Sequence, residues 1–391
     1  MRVWQRSPLG GGPGGGTAGV VKSIAIARGA IATPVPEYQL QAPTQKKPVN
    51  TNSHPSAATS SPVKPLPLPV RVGLVGTGFA AKLRAETLQG DDRATLVAVA
   101  GHTAMKTEQF AQTYQAEAIG SWQQLVERND IDLVMISLVN SAHGDIVARS
   151  LQAGKHVVVE YPLCLDAIAA KELISLASQR QLLLHVEHIE LLGGLHNALK
   201  ASLPEAGEVT YARYATITPQ RPVPLKWTYN LNLFGFPFVG ALSRLHRFTD
   251  LFGSVATVSA QARFWEASEP DYYTACLCTA QLRFTSGAIA DLIYGKGDQF
   301  SKGERKFEVH GEKGTLIFDG DRGELVRLDE VTPLSVGTRR GLFARDTTMV
   351  LDYLTAGKPL YVEPTASAYT LKVADAVRRA AQTQETISLE N

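Results

Sequence analysis

Cysteine is scarce in this chain: Cys164, Cys276 and Cys278 are the only three among 391 residues. So few, and odd in number, they argue against a disulfide framework and point to a reducing compartment. Cys276 and Cys278 lie two apart in a strand-like run, so they share a face and suit packing better than a metal pair. Net charge is lacking as well. The 39 Lys and Arg against 37 Asp and Glu leave +2, too little to call for a nucleic-acid or membrane-surface partner. No apolar run approaches the ~18 residues of a membrane-spanning helix, so neither nucleic acid nor membrane is an expected partner.

Acids are almost missing from residues 1–68, where Glu37 stands alone against Arg2, Arg6, Lys22, Arg28, Lys46, Lys47 and Lys64. With GGGPGGG at 10–16 and PVKPLPLP at 62–69, this stretch cannot bury enough apolar surface to offset its chain entropy. It reads as a disordered leader. A flexible extension is the plainer reading; an organelle transit peptide has the same basic, acid-poor composition. The expected location is the cytoplasm, or a plastid or other organelle if the leader is such a signal.

Order is expected from residue 69. Apolar runs at 71–76, 95–100, 132–138, 156–160 and 182–186 alternate with helical patterns at 79–88, 104–114, 121–128, 143–153 and 166–180. This alternation predicts βαβ units, and so a Rossmann doubly wound parallel sheet over 69–190. Longer strand patterns follow at 208–218, 255–264, 273–284, 288–294, 306–310, 315–318 and 324–328. Turn residues such as Thr285-Ser286-Gly287 separate neighbours, as in hairpins. They predict an α+β domain with a large, mainly antiparallel sheet over 191–391, which would serve substrate or homo-oligomer contacts. One helix at 239–252 interrupts the strands, and helices at 343–356 and 365–382 close the chain, the last free to pack back on the first domain.

Gly76-Thr77-Gly78-Phe79-Ala80-Ala81 follows the first strand directly and opens a helix. Gly76 permits the tight turn, Gly78 lets the backbone approach a pyrophosphate, and the helix N-terminus favours the anion. A carboxylate at the end of the second strand would bind the ribose hydroxyls of NAD. Gly101-His102-Thr103 stands there instead, with Lys106 close by. His102 and Thr103 tolerate a 2′-phosphate, so NADPH is the expected cofactor, with NADH left open.

Two further segments narrow the class. Ile136-Ser137-Leu138-Val139-Asn140-Ser141-Ala142-His143 and Ala153-Gly154-Lys155-His156-Val157-Val158-Val159-Glu160-Tyr161-Pro162 resemble the signature of the Gfo/Idh/MocA oxidoreductases. The run Glu308–Leu316 is similar to a recurrent strand–turn–strand of their C-terminal domain. The resemblance covers roughly 70–390. It implies a Rossmann domain plus an open sheet whose face walls the substrate site, with Asn140, His143 and Glu160 beside the dinucleotide.

Two departures stand out. The family's usual Glu-Lys-Pro reads Glu160-Tyr161-Pro162, and its Asp…His pair aligns near Val239 and Ser243. Oxidation of a polyol needs a positioned base such as that Lys or His, so sugar oxidation is disfavoured. The same departures, with His185-Val186-Glu187-His188-Ile189-Glu190-Leu191-Leu192, Phe234-Gly235-Phe236-Pro237 and Ser243-Arg244-Leu245, resemble the branch of the family that reduces linear tetrapyrroles, the bilins. That resemblance implies hydride addition to the central bridging carbon and a proton to a pyrrole nitrogen.

A flat substrate with two propionates asks for a wide apolar slot, cations at the rim and a proton source. Arg244, Arg305 and Tyr161 are the candidate catalytic residues. Arg244 is also a candidate substrate ligand, as are Lys226, Phe234 and Phe236; Arg221 is better read as a surface group. An Arg is too basic to give up its own proton, so a water held by Arg244 is the expected donor. The cluster His185, Glu187, His188 and Glu190 lacks a zinc pattern and is read as a hydrogen-bonding layer behind Tyr161. The alternatives are a family oxidoreductase acting on a sugar, polyol or imine, and a non-catalytic dinucleotide-binding sensor.

Overall fold

The computed structural model describes residues 64–328 and 330–389; most of the leader expected over 1–68 lies outside the described residues. The first part alternates β1 (Val70–Val75), α1 (Phe79–Gln89), β2 (Ala94–Ala100), α2 (Ala104–Thr113), β3 (Glu117–Ile119), α3 (Trp122–Val126), β4 (Leu133–Ile136), α4 (His143–Gln152), β5 (His156–Glu160), α5 (Ala167–Gln179) and β6 (Leu184–Glu187). All six strands are parallel, in the order β3-β2-β1-β4-β5-β6. The order reverses between β1 and β4, and the crevice outside the strand ends opens there. Strands β1, β4 and β5 are almost wholly buried, which is why they read as unbroken apolar runs.

The second part contains α6 (Gly194–Ala206), β7 (Val209–Pro219), α7 (Leu231–Phe234), α8 (Pro237–Gly240), α9 (Ser243–Phe252), β8 (Val255–Glu266), β9 (Tyr273–Phe284), β10 (Ile289–Gly297), β11 (Glu304–Gly311), β12 (Gly314–Asp319), β13 (Arg322–Arg327), β14 (Glu330–Leu334), α10 (Leu342–Ala356), α11 (Pro364–Thr383) and β15 (Ile387–Ser388). Its nine strands run β14-β13-β12-β11-β7-β10-β9-β8-β15. Every pair is antiparallel except β7 with β10. One face carries Tyr214 and Phe307 against Phe248 of α9. The alternate positions on the other face form a charge ladder, with Arg213 paired to Glu304 and Glu308 and Lys306 to Glu308.

Three departures from the sequence reading have physical causes. The helix expected over 239–252 is two helices, because Gly240 packs so closely on Phe234 that a Cβ would collide with its ring. Helix α6 is not among the expected elements; its buried stripe of Leu195, Leu199 and Ala206 holds it in the core despite Pro204 inside it. Helix α10 belongs to the Rossmann core rather than to the sheet domain: Val350, Leu351 and Leu354 pack with Val72, Leu74 and Ala81. Leu66, inside the expected leader, joins that cluster and donates its amide to the Leu354 carbonyl at 2.9 Å.

Candidate functional site

The turn after β1 has the form a dinucleotide requires. Gly76 sits at φ +125°, where L residues are strained, and a Cβ there would overlap the Ser137 carbonyl oxygen. Gly78 caps α1 without a side-chain hydrogen bond, and nothing lies within 4 Å of where its Cβ would stand. The first turn of α1 holds no acid, so its free amide groups face open space as an anion site. At the end of β2, His102 and Thr103 are exposed. Phe79 is exposed at 74% and meets Phe343 edge to face at 6.3 Å. Both line a cleft of about 750 Å³ that also holds Glu190, Arg339 and Arg340. Ala80 follows on the same turn, half-buried.

A hydrogen-bonded wall stands beyond the end of β5. Arg244 donates to Ser243 Oγ at 2.8 Å, and Ser243 Oγ donates to the Tyr161 hydroxyl at 3.1 Å. The Tyr161 ring stacks on His188 at 5.4 Å and 9°, and His188 meets His246 edge to face at 4.1 Å. Burial pushes the Tyr161 phenol up. Burial also holds His188 well below its usual value and His246 down at about 4, so both imidazoles are neutral. Arg244 and Arg305 line a second cleft of about 350 Å³ on the sheet, floored by Thr216 and Thr218. The Arg244 Nε is buried without a partner among the described residues.

A layer of charge lies beneath this wall. Arg84 of α1 is fully buried; its Nε donates to Glu160 Oε1 at 2.8 Å and its Nη1 to Asp346 Oδ2 at 2.9 Å. Asp346 also takes hydrogen bonds from His185 and Tyr361, each at 2.8 Å. Although burial disfavours its charge, His185 and Arg84 hold the Asp346 carboxyl far below the usual range. Burial and the adjacent Glu160 raise Glu187 well above it. Glu190 is opposite: burial disfavours its charge, but Arg247, Arg244 and Arg339 hold it low.

The sequence-predicted residues thus divide. Arg244 and Arg305 line the smaller cleft, with Tyr161 linked to Arg244 through Ser243; Phe79 lines the larger cleft, and Gly76 and Gly78 shape the turn before it. Three expected dinucleotide contacts have protein partners in this structure. The Glu160 carboxylate is engaged by Arg84 and Ser137. Asn140 is buried and donates to the Phe234 carbonyl at 2.9 Å. His143 is fully buried, with Nδ1 on the Pro162 carbonyl and Nε2 on that of Leu138.

The expected bilin-slot residues Phe234 and Phe236 line neither cleft. Phe234 is buried against Trp227, with the Lys296 ammonium 4.8 Å from its ring centre. Lys226 is exposed and also lines neither cleft, and Arg221 is bound to the Asp298 carbonyl. His188 does stand behind Tyr161, as the layer reading required. Sequence reasoning missed Arg84, Asp346, His246 and Arg339. The signal for Arg84 was there: Ala81, Arg84, Ala85 and Leu88 form the buried stripe of α1, and an Arg at that spacing marks a buried ion pair.

Comparison with known proteins bears on both halves. Residues 70–188 match the model of an oxidoreductase family with an NAD-binding Rossmann fold, and 205–389 match its C-terminal alpha/beta domain. The chain is 27% identical to biliverdin reductase A of Mus musculus, over 79% of this chain and 95% of that one. It is 28% identical to a dTDP-3,4-didehydro-2,6-dideoxy-alpha-D-glucose 3-reductase of Saccharopolyspora spinosa, over 64% and 75%. A crystal structure of biliverdin reductase from Synechocystis sp. PCC 6803, in complex with biliverdin and NADP+, aligns with a TM-score of 0.79 and 53% identity, covering 80% of this chain and 99% of that one.

Proposed function

This chain belongs to the Gfo/Idh/MocA oxidoreductase family, and we propose that within it the molecule is an NADPH-dependent reductase that converts biliverdin to bilirubin. The observation that carries the reading is the one-way hydrogen-bond chain Arg244–Ser243–Tyr161 beside a cleft that also holds Arg305. The 53% identity to a biliverdin reductase supports it.

In this reading Gly76, Gly78 and the α1 amides hold the pyrophosphate, and His102 and Thr103 take the 2′-phosphate. Phe79 lines the approach to the nicotinamide. When bound, NADPH supplies the hydride, which adds to the central bridging carbon of the bilin. Arg244 and Arg305 hold a propionate and steady negative charge on the tetrapyrrole. Arg244 keeps its own proton, so it orients a water that protonates the pyrrole nitrogen. Tyr161 accepts from Ser243, which leaves its own hydroxyl proton for another acceptor. Sugar oxidation is disfavoured by the same groups. Helix α9 does carry a histidine, His246, but it is buried against His188, out of reach of a hydroxyl.

The compartment belongs to the proposal too: all three cysteines are free and buried, as suits a reducing environment. No helix among the described residues is long and apolar enough to cross a membrane. The decisive assay mixes the protein, NADPH and biliverdin. Loss of the red bilin band with gain of a blue-region bilirubin band is expected. Oxidation of sugars or inositols with NAD, and no bilin turnover, would overturn the assignment.

A further inference from the structure

Glu190 sits at 16% side-chain exposure and is crowded by guanidinium groups. Arg247 donates to its Oε2, Arg339 Nη2 reaches Oε1 at 2.9 Å, and Arg305 Nη2 lies 3.8 Å from Oε2. A single carboxylate thus answers three arginines, and a fourth, Arg244, stands close enough to influence its charge. Two of them, Arg244 and Arg305, face the smaller cleft on the sheet. Arg339 faces the larger one, beside Arg340, Phe79 and Phe343. Positive charge in excess of its partners, at the edges of two neighbouring clefts, is the complement of an anion with more than one carboxylate.

The loop that carries Arg339 is held in place. Its Thr338 carbonyl accepts the Gly194 amide at 3.2 Å, and a Cβ on Gly194 would collide with the Gly337 backbone. Gly341, at φ +71°, turns the chain into α10. The Arg339 side chain is nonetheless 45% exposed and reaches into the cleft from this fixed base. Glu190 occupies only one edge of its planar fork, since the structure shows one nitrogen bonded to it.

We propose that Arg339 is a specificity-determining residue that binds the second carboxylate of the substrate, while Arg244 and Arg305 bind the first. Glu190 keeps the guanidinium aimed into the cleft and gives it up, or shares it, when a propionate arrives. The proposal rests on the bilin reductase assignment and adds the group that reads the far side chain. The sequence offered Lys226 as a further rim cation, but it lines neither cleft.

The test is steady-state kinetics of the full chain and its R339A and R339K variants with NADPH. The two substrates are biliverdin and biliverdin dimethyl ester, in which both propionates are capped. R339A is expected to raise the KM for biliverdin about ten- to hundredfold, the loss of a charge-assisted hydrogen bond. It should leave kcat and the KM for NADPH unchanged, and it should leave the KM for the diester unchanged. R339K should recover part of the loss, keeping the charge without the fork. A KM that rises equally for acid and ester, or for neither, overturns the assignment of Arg339 alone. A wild-type chain that reduces neither compound overturns the reductase assignment, and this one with it.

Discussion

Acidification is the sharpest perturbation for this molecule. His156, His188 and His246 are buried and neutral: burial holds His156 and His246 down at about 4 and His188 well below its ordinary value. His156 Nδ1 accepts the Leu183 amide at 3.0 Å, so a proton there would also break that bond. In the unfolded chain each imidazole titrates near 6.5. Their contribution is fully present above about pH 6.5 and is lost as the pH falls toward about 4. Glu187 acts in the opposite sense. Its folded form keeps a proton that the unfolded chain has released above its own pKa of about 4.3, so its contribution grows as the pH falls. Between about pH 6 and pH 5 the unfolded chain therefore binds protons that these imidazoles, and likewise His143 and His196, resist when folded, while Glu187 offsets part of the difference. Each net proton contributes a slope of about 1.4 kcal/mol per pH unit, large against a total stability of ~5–15 kcal/mol. Urea titrations at a series of pH values, fitted for unfolding free energy, measure this slope directly. His246→Gln should make it shallower. Stability that stays level from about pH 7 to pH 5 would refute the neutral buried imidazoles.

Other outcomes follow from single contacts. Arg84→Met strands Glu160 and Asp346 in the interior, at a cost of about 3–5 kcal/mol, so calorimetry should show Tm lower by roughly 5–10 °C; an unchanged Tm would remove the charge layer from the account. A Cβ at Gly78 meets nothing within 4 Å, so with Gly78→Leu Tm should hold while NADPH titrations show binding weakened by at least about tenfold, the side chain now filling the phosphate approach. Unweakened NADPH binding would put the cofactor elsewhere. Gly76→Ala meets the Ser137 carbonyl oxygen and should lower the yield of folded protein instead. Arg244→Ala should lower kcat on the order of a hundredfold while NADPH affinity holds; equal losses in both would indicate misfolding.

Much of the fold was legible because its strands have unmistakable patterns. The parallel strands are buried on both faces and read as apolar runs, and β9 spans the expected 273–284. Elements whose limits depend on tertiary contact were harder. Strand β3 is mostly exposed and short, and it exists because β2 offers a free edge. The break between α8 and α9 depends on how Gly240 meets Phe234, which no periodicity records. The site was legible where chemistry needs a particular residue type, as at Gly76 and Gly78. It was less legible where a polar residue near the motif also bonds to protein. Asn140, His143 and Glu160 lie at the strand ends where a dinucleotide contact is expected, yet their polar atoms are already bonded to protein. Burial of those atoms is decided by residues 20 to 90 positions away, so spacing alone could not assign it.

The direction of the reaction follows from where this site keeps charge and where it keeps protons. A base for hydroxyl oxidation must have a lone pair free and a pKa near the working pH. Tyr161 does not meet this: burial raises its phenol, so it holds its own proton and is no base near the working pH. Behind it His188 and His246 are neutral and packed ring on ring, so no proton taken from a substrate would be welcome there. A lysine at position 161 would set an ammonium against those two rings, where desolvation would disfavour its charge. The chain instead places permanent positive charge at the Arg244 end of a hydrogen-bond chain that ends on the Tyr161 hydroxyl. Such a polarity assists a substrate that gains negative charge and then a proton, and it resists one that must lose a proton first. Reduction of a conjugated tetrapyrrole makes the first demand, and oxidation of a sugar makes the second.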